Sequence, residues 1–336
     1  MLSITQAFNL VARAETAKRG LTVVLSMSLT TRSTLQLAAL WLAAICCFAP
    51  ARAATIDVGS VKRSYTAQLP ATRPAPLVIV LHGKTQRGAD MIARTAWPQV
   101  AKREGFAVVF PDGLNHAWAD ARTKAGPELR GPPPGTDDVA FIAKLVDKLV
   151  ADGTADVRRV YVAGVSNGGA MVMTLLCARA DLFVAGASVI MNLTDEAAVT
   201  CHPSRPLPML LMNGTADPLI PYEGGRGSSY FAADGFWSTE DTLAFWRKLN
   251  GCETDDASVT DLPDKAPSDQ SSVTRISSRC PRGHDVVLYR INHGGHRMPG
   301  FAPDARFPRV ATGLLGPQNG DIDGAETIWS FFSQFP

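Results

Sequence analysis

The chain has 336 residues, of which 46% are hydrophobic, with 33 lysines and arginines against 31 aspartates and glutamates. Residues 1–53 contain five of the basic residues and one of the acidic ones, so the rest of the chain carries 28 basic and 30 acidic residues. This balance gives no basic surface that would argue for a nucleic-acid partner. The length after residue 53 suits one large domain with a substantial core.

The first 53 residues carry the features of a secretory signal peptide. An apolar run at residues 35–48 follows Arg32 and precedes the sequence Ala-Arg-Ala at 51–53, which is the usual order of n-region, h-region and cleavage site. We expect cleavage after Ala53, and we expect the true start at Met27, just upstream of these features. The alternative is an uncleaved membrane anchor, although the apolar run is shorter than the roughly 20 residues that a spanning helix needs.

The predicted mature chain, residues 54–336, is expected to form a single domain in the periplasm or outside the cell, without stable membrane association. Its four cysteines are Cys177, Cys201, Cys252 and Cys280. An even number in an exported chain suggests disulfides, and four cysteines allow three pairings. Their order favours the local pairs Cys177–Cys201 and Cys252–Cys280, with buried free thiols as the alternative. No Cys-x-x-Cys spacing indicates a zinc or redox site.

Short, continuous apolar runs alternate with amphipathic segments along the rest of the chain. The runs cover residues 76–81, 106–110, 160–163, 183–190, 208–212 and 286–291. Runs without polar alternation are typical of strands buried on both faces, as in a parallel sheet between two helical layers. The alternation therefore predicts a three-layer α/β fold with a mostly parallel central sheet.

Three helices carry recognisable start signals. Thr136 can cap the first, whose apolar residues between 139 and 150 recur at helical spacing. Ser238 begins the second, which we expect to stop at Gly251. Asp323 begins the third, with a glutamate three residues later as in a capping box.

Two segments, residues 222–237 and 301–320, fit neither a strand nor a helix. Both are rich in glycine, and the second is also rich in proline. Loops of this length in a compact domain are usually functional or disordered. The sequence leaves open whether the segment 222–237 acts as a lid.

The sequence Gly-Val-Ser-Asn-Gly at 164–168 joins the predicted strand 160–163 to a helix predicted from about Gly169. A turn this sharp strains the serine backbone, and the flanking glycines allow the close approach that it requires. Ser166 then lies at the end of a strand and near a helix N-terminus, which is the setting of a nucleophile elbow. The alternative is a glycine-rich turn with a spectator serine.

A nucleophilic serine needs a histidine base, and six histidines compete for this role. His82 ends the first buried strand, where its neighbours more plausibly supply backbone donors. Three others lie in polar loops without further support: His116, His202 and His284. His296 is favoured because it follows the last apolar strand and two glycines, and His293 is the fallback. A metal site at this His-x-x-His pair lacks a clear third ligand.

The acid that orients the base is predicted at Asp217, which follows the buried strand 208–212 and a polar turn. Asp137 and Asp138 are explained instead by capping of the first helix. The chain order serine, aspartate, histidine agrees with that of the α/β hydrolases. For the oxyanion we expect the backbone NH of Asn167 and that of Lys84 or Thr85, in the loop after the first strand.

Several motifs resemble the secreted esterase family that groups polyhydroxybutyrate depolymerases with feruloyl and acetylxylan esterases. They are LHGKTQRGADM, FAVVFPDGLNHAW, GTDDVAFI, VYVAGVSNGGAM, LLMNGTADPLIPYEGG, FWRKLNGC and INHGGHRMPG. The resemblance implies an α/β-hydrolase fold from about residue 77 to residue 329, with a triad of Ser166, Asp217 and His296. The family's Asn-Gly-Cys motif falls on Cys252 and favours its pairing with Cys280.

Two positions depart from the family pattern. Met298 stands where the family's histidine motif usually has tryptophan, and Lys84 stands where its His-Gly-Cys motif has cysteine. Neither belongs to the expected triad. Both are expected near the cleft, so the preferred acyl group is not fixed by the resemblance.

The expected activity is that of a secreted serine esterase that works through an acyl-enzyme and needs neither cofactor nor metal. No linker or polymer-binding module is visible, which favours small, oligomeric or polysaccharide-linked esters over a solid polyester. Candidates for the substrate pocket are Trp118, Tyr222, Tyr230, Phe231, Trp237 and His293, although loop packing explains each equally well. A serine peptidase on the same scaffold and a non-catalytic binding protein are the alternatives.

Overall fold

The structure is a computed structural model that describes residues 51–120, 131–227, 235–253, 257–302 and 313–335. The predicted signal peptide lies outside these ranges except for its last three residues. The strands are β1 (Arg52–Val58), β2 (Val61–Gln68), β3 (Ala75–Leu81), β4 (Ala107–Pro111), β5 (Ala155–Val165), β6 (Ala185–Val189), β7 (Met209–Gly214), β8 (Gly225–Arg226), β9 (Gly235–Phe236), β10 (Ala257–Asp261), β11 (Ser272–Ser278) and β12 (Val286–Asn292).

Helices follow the strands on both sides of the sheet. They are α1 (Gly88–Arg94), α2 (Trp97–Glu104), α3 (Asp138–Ala151), α4 (Asn167–Ala178), α5 (Asp195–Thr200), α6 (Thr239–Asn250) and α7 (Gly324–Phe332). Short 3-10 turns occur at Leu114–His116, Pro267–Asp269 and Pro281–Gly283. None of the helices in the described ranges is long and apolar enough to cross a membrane.

One large sheet has the strand order β1-β2-β4-β3-β5-β6-β7-β12-β11-β10. Its centre, from β4 through β3, β5, β6 and β7 to β12, is parallel, as the apolar runs predict. The outer pairs on either side are antiparallel. These outer strands were not predicted, because they are partly exposed and carry too many polar residues to give a continuous apolar run.

Two hydrophobic clusters cover the two faces of the sheet. In β3, Leu77, Ile79 and Leu81 belong to one cluster, while Val78 and Val80 belong to the other. The alternation follows from the two-residue period of a strand, although every residue here is apolar. Helices α3, α4 and α6 contribute to the first cluster, and α1, α2 and α7 contribute to the second. This three-layer arrangement is the predicted one.

The helix ends largely follow the expected signals. Ser238 and Asp323 cap α6 and α7 by accepting backbone NH groups, and Gly251 ends α6 with a φ of 67°. The prediction for α3 was wrong by one residue, because Asp137 rather than Thr136 accepts the capping bond, from the NH of Ala140 at 2.8 Å. The segment 222–237, expected to lack regular structure, contains the small antiparallel pair of β8 and β9.

Both expected cysteine pairings are present in the structure. Cys177 in α4 pairs with Cys201 after α5, and Cys252 after α6 pairs with Cys280 after β11. The paired cysteines are separated by 24 and 28 residues in the sequence. The first disulfide joins the helix that follows Ser166 to the segment between β6 and β7.

Candidate active site

Ser166 lies on the sharp turn between the end of β5 and the start of α4. Its φ of 52° and ψ of −121° place it in a region that non-glycine residues rarely adopt, so the serine backbone is strained as the elbow motif predicts. The Ser166 NH donates to the carbonyl oxygen of Val189 at the end of the neighbouring strand β6, at 2.9 Å. The turn is therefore held by the sheet itself.

His296 lies between Ser166 and Asp217, which are distant from it in the sequence. Its Nε2 is 2.9 Å from Ser166 Oγ, and its Nδ1 is 2.7 Å from Asp217 Oδ2. A carboxylate only accepts hydrogen bonds, so Nδ1 carries the proton and Nε2 of the neutral ring accepts from the serine hydroxyl. The imidazole is thus arranged to remove a proton from Ser166.

The carboxylate of Asp217 is fixed by the backbone that follows it. Its Oδ1 accepts the NH groups of Leu219 and Ile220 at 2.8 and 2.9 Å. These two bonds leave Oδ2 directed at His296. Both Asp217 and His296 are buried, so their interaction is little screened by solvent.

The loop that carries His296 is packed tightly against its neighbours. The NH of Gly295 donates to the carbonyl oxygen of Pro317 at 2.8 Å, and the NH of His296 donates to that of Leu315 at 2.6 Å. An added Cβ at Gly295 would overlap the backbone of Leu315. The glycine therefore serves close backbone packing, and its φ is not in the left-handed region.

The two loops predicted to supply the oxyanion donors are next to each other. A Cβ added at Gly83 would lie 3.6 Å from Ser166 Cβ, and Asn167 is the first residue of α4, where backbone NH groups lack intrahelical partners. The NH of Thr85 already donates to the carbonyl oxygen of His116 at 2.8 Å. The Thr85 NH is therefore engaged in this structure, and the NH of Lys84 stays the predicted second donor.

His82 is fully buried behind this loop and is neutral. Its Nδ1 donates to the Gly83 carbonyl oxygen at 2.7 Å, and its Nε2 accepts the Gly113 NH at 2.9 Å. Burial lowers the pKa of His82 to about 4. His82 therefore ties the loop after β3 to the loop after β4, and both of its ring nitrogens are engaged in these backbone contacts.

The residues expected to line a substrate pocket are mostly engaged in packing. Trp118 is 2% exposed, and its indole NH donates to the His82 carbonyl oxygen at 2.8 Å. The Tyr222 hydroxyl is buried and donates to Glu240 at 2.6 Å, and burial raises the pKa of Tyr222. Neither side chain lies open to a ligand in this structure, and a role of Trp118 or Tyr222 in substrate binding stays a prediction.

The remaining candidates for the substrate pocket differ in their exposure to solvent. The indole NH of Trp237 donates to Asp195 at 2.8 Å and its side chain is half-buried. His293 is exposed at a φ of 58°, with its NH bound to Thr215 Oγ1 at 2.8 Å. Among the described residues, His293 makes no hydrogen bond to Ser166 or Asp217, so a role in substrate contact stays a prediction. Tyr230 and Phe231 lie outside the described residues.

The two departures from the family pattern fall in different environments. Met298 is 3% exposed and packs in the second hydrophobic cluster, so it belongs to the core rather than to an open cleft. Lys84 is half-buried in the loop beside Ser166. In the described part of the chain, no group of three His, Cys, Asp or Glu side chains is placed to hold a metal ion.

The strand order of the sheet is that of an α/β-hydrolase fold. The elbow at Ser166 and its cluster with His296 and Asp217 agree with this fold. A solved structure, the acetyl xylan esterase from Aspergillus awamori, aligns with a TM-score of 0.53 over 84% of this chain and 99% of its own, at 13% sequence identity. At this identity the likeness concerns the fold alone. The predicted fold class is confirmed.

Comparison of the sequence with known proteins narrows the α/β-hydrolase class to esterases. Residues 63–200 match the family model described as Esterase PHB depolymerase. The chain is 29% identical to "Putative esterase NocK" of Nocardia uniformis subsp. tsuyamanensis over 76% of this chain and 73% of the relative. It is 28% identical to Feruloyl esterase B of Piromyces equi over 67% of this chain, but only 40% of that relative. The chain is thus similar to esterases of this kind, and the expected resemblance to carboxylic ester hydrolases is confirmed.

Sequence reasoning missed the side chain of Asn167. The motif suggested a role for its backbone NH only, yet its amide group bonds to the main chain of Trp118 and to Asp120. These partners lie 47 to 49 residues away in the sequence. A local pattern gives no signal for a contact at such a separation.

Proposed function

We propose that the protein is a secreted serine esterase in which Ser166, His296 and Asp217 form the catalytic triad. The observation that carries this proposal is the pair of hydrogen bonds made by His296, at 2.9 Å to Ser166 Oγ and 2.7 Å to Asp217 Oδ2. A serine hydroxyl is a weak nucleophile until an adjacent base takes its proton, and this arrangement provides the base. The esterase relatives support the same reaction class.

The reaction begins when Ser166 Oγ attacks the ester carbonyl carbon and His296 Nε2 takes the serine proton. Asp217 holds Nδ1 protonated and stabilises the imidazolium that forms. The carbonyl oxygen becomes an oxyanion, for which the backbone NH groups of Asn167 and Lys84 are the proposed donors. When the carbon–oxygen bond of the leaving alcohol breaks, His296 returns the proton to that alcohol and an acyl-Ser166 remains.

Water then hydrolyses the acyl-enzyme, with the water molecule in the place that Ser166 had in the first half of the reaction. His296 takes a proton from the water, whose oxygen attacks the acyl carbon. The second tetrahedral intermediate then collapses, the bond to Ser166 Oγ breaks, and His296 returns the proton to the serine. The products are an alcohol, a carboxylic acid and free enzyme.

For the substrate we propose small or soluble esters, with feruloyl, acetyl and short hydroxybutyrate esters as the first candidates. Two similarities support this proposal. One relative is named Feruloyl esterase B, and the matching family model is described as Esterase PHB depolymerase. The chain spans less than half of Feruloyl esterase B. The choice among these acyl groups is therefore an experimental one.

We also propose export, with cleavage after Ala53. The two disulfides support an oxidising compartment. Cleavage there would remove Arg52 and Ala53 from β1 and would leave the pairs from Ala54 with Tyr65 to Val58 with Val61. Export from cells and N-terminal sequencing of the exported protein test this proposal. A mature N-terminus downstream of Val58 would contradict it, because β1 would be lost.

The decisive test measures hydrolysis of methyl ferulate, acetylated xylan, hydroxybutyrate oligomers and p-nitrophenyl esters, with matched amides to detect peptidase activity. Ser166→Ala should abolish turnover of every ester that the wild type hydrolyses. Ser188→Ala is the matched control, because the Ser188 hydroxyl is buried on the adjacent strand β6 and has no hydrogen-bond partner among the described residues. Wild-type turnover by Ser166→Ala would refute the proposed mechanism.

A further inference from the structure

The side chain of Asn167 joins the elbow to the loop that follows β4. The Trp118 NH donates to Asn167 Oδ1 at 2.7 Å, and Asn167 Nδ2 donates to the Trp118 carbonyl oxygen at 3.1 Å and to Asp120 Oδ2 at 2.6 Å. Both ends of the amide are thus bonded, and Asn167 is 4% exposed. An amide that pairs with both main-chain groups of one residue fixes that residue in position and orientation.

Trp118 in turn is linked to the other side of the expected oxyanion site. Its indole NH donates to the His82 carbonyl oxygen at 2.8 Å, and its ring lies 4.8 Å from the His82 ring, between centroids. His82 bonds through its ring to the Gly83 carbonyl oxygen. A continuous set of buried hydrogen bonds therefore runs from the side chain of Asn167 to the backbone beside Lys84.

We infer that Asn167 is a positioning residue as well as a backbone donor: its side chain sets the spacing between its own NH and the NH of Lys84. This inference rests on the proposed function, because the spacing matters only if both groups bind an oxyanion. Oxyanion donors act by being fixed before the charge develops, so a small displacement costs rate rather than ground-state affinity. The predicted signature is a loss in kcat with KM largely unchanged.

The chain offers a closely matched control in Asn250. Its Oδ1 accepts the Leu207 NH at 3.2 Å, and its Nδ2 donates to the carbonyl oxygens of Leu207 and His284 at 2.7 and 2.8 Å. Asn250 is also 4% exposed. Leu207 and His284 precede β7 and β12, so this clamp lies at the opposite edge of the sheet from Ser166. The Asn250 amide therefore makes the same kind of hydrogen bonds as the Asn167 amide, but it has no proposed role in the reaction.

The experiment compares Asn167→Ala with Asn250→Ala in the full chain. Both should lower the thermal unfolding midpoint by similar amounts, since each loses one buried amide clamp. Only Asn167→Ala should lower kcat, by about 10²-fold, with KM within about threefold of wild type. The affinity for phenylboronic acid, which forms a tetrahedral adduct with an activated serine, should fall by a similar factor in Asn167→Ala alone.

A second variant guards against poor folding of Asn167→Ala. Trp118→Phe keeps an aromatic ring against His82 but removes the indole NH that donates to the His82 carbonyl oxygen, and it should lower kcat by about tenfold with little change in KM. Combined with Asn167→Ala, its effect on kcat should be less than additive, because both act on one connection. If kcat is unchanged in both variants while Ser166→Ala is inactive, the positioning role is overturned and the proposed function stands.

Discussion

Gly164 and Gly168, the two glycines of the elbow, pack main chain against main chain. An added Cβ at Gly164 would overlap the carbonyl group of Gly168. A Cβ at Gly168 would lie 2.5 Å from the Leu81 carbonyl oxygen and 2.6 Å from that of His82. Neither glycine has a φ in the left-handed region. The motif therefore contains glycine because β3, β5 and α4 approach one another too closely for any side chain.

Gly164→Ala is expected to displace the start of α4 and with it Ser166. Forcing a methyl group into close-packed backbone costs about 1–3 kcal/mol of folding free energy, and we expect kcat to fall by about 10²-fold because the nucleophile moves relative to His296. Denaturant unfolding and steady-state kinetics measure the two effects. Gly235→Ala is the control, since the nearest atom to its added Cβ is 3.7 Å away. Equal behaviour of the two variants would contradict this account of the elbow.

Asp217→Asn should lower kcat on the order of 10⁴-fold. An asparagine cannot accept from Leu219, Ile220 and His296 at once, because one of its two positions is an NH₂ group facing donors. The imidazole then adopts the wrong tautomer or loses its orientation. The control is Asp137→Asn, since asparagine caps a helix about as well as aspartate. Activity of Asp217→Asn within tenfold of wild type would argue for a different acid.

The sequence predicted the parallel centre of the sheet and the loops that carry the proposed triad, because both depend on local patterns. Continuous apolar runs identified β3, β4, β5, β6, β7 and β12. A serine between glycines after a strand, and a histidine after the last strand, gave the positions of Ser166 and His296. Their proximity follows from the rule that parallel strands end at one edge of the sheet.

The supporting contacts could not be predicted, because they are made between distant segments. Nothing local indicates that Trp118 would bond to Asn167 or that the Thr85 NH would be taken by His116. Ile190 has a φ of 51° at the end of β6, although β-branched residues strongly disfavour that conformation. Backbone propensity argues against isoleucine at a positive φ, so this conformation of Ile190 is seen only in the tertiary structure.

Stability should increase with pH between about 4 and 6.5 through His82. Burial lowers the pKa of His82 to about 4 in the folded chain, whereas the unfolded chain keeps the ordinary value of 6.5. In this window the unfolded state binds the extra proton, so lowering the pH favours unfolding, by about 3 kcal/mol in total. Protonation of His82 in the folded state would also place a proton on Nε2, which would then face the NH of Gly113 as a second donor without an acceptor between them.

Denaturant unfolding of wild type and His82→Gln across pH 4 to 9 measures this contribution. The variant is expected to be less stable at neutral pH, because it loses the bonds to Gly83 and Gly113. Its free energy of unfolding should rise less steeply than that of wild type between pH 4 and 6.5. Above pH 7 the two curves should run parallel, since His82 is neutral in both states. Parallel curves over the whole range would show that His82 does not titrate on unfolding.

Removal of Cys177–Cys201 by a double serine substitution should cost about 3–4 kcal/mol of folding free energy, from the added entropy of the unfolded chain. Removal of Cys252–Cys280 should cost nearly the same, because the two cysteine separations, 24 and 28 residues, differ little. Cys177 lies in the last turn of α4, whereas Ser166 precedes its first residue. Twelve helical residues span about 18 Å, so kcat below the unfolding transition should stay within about twofold of wild type. A large loss of kcat in the Cys177 and Cys201 variant, with stability intact, would instead mean that the disulfide holds the elbow in place.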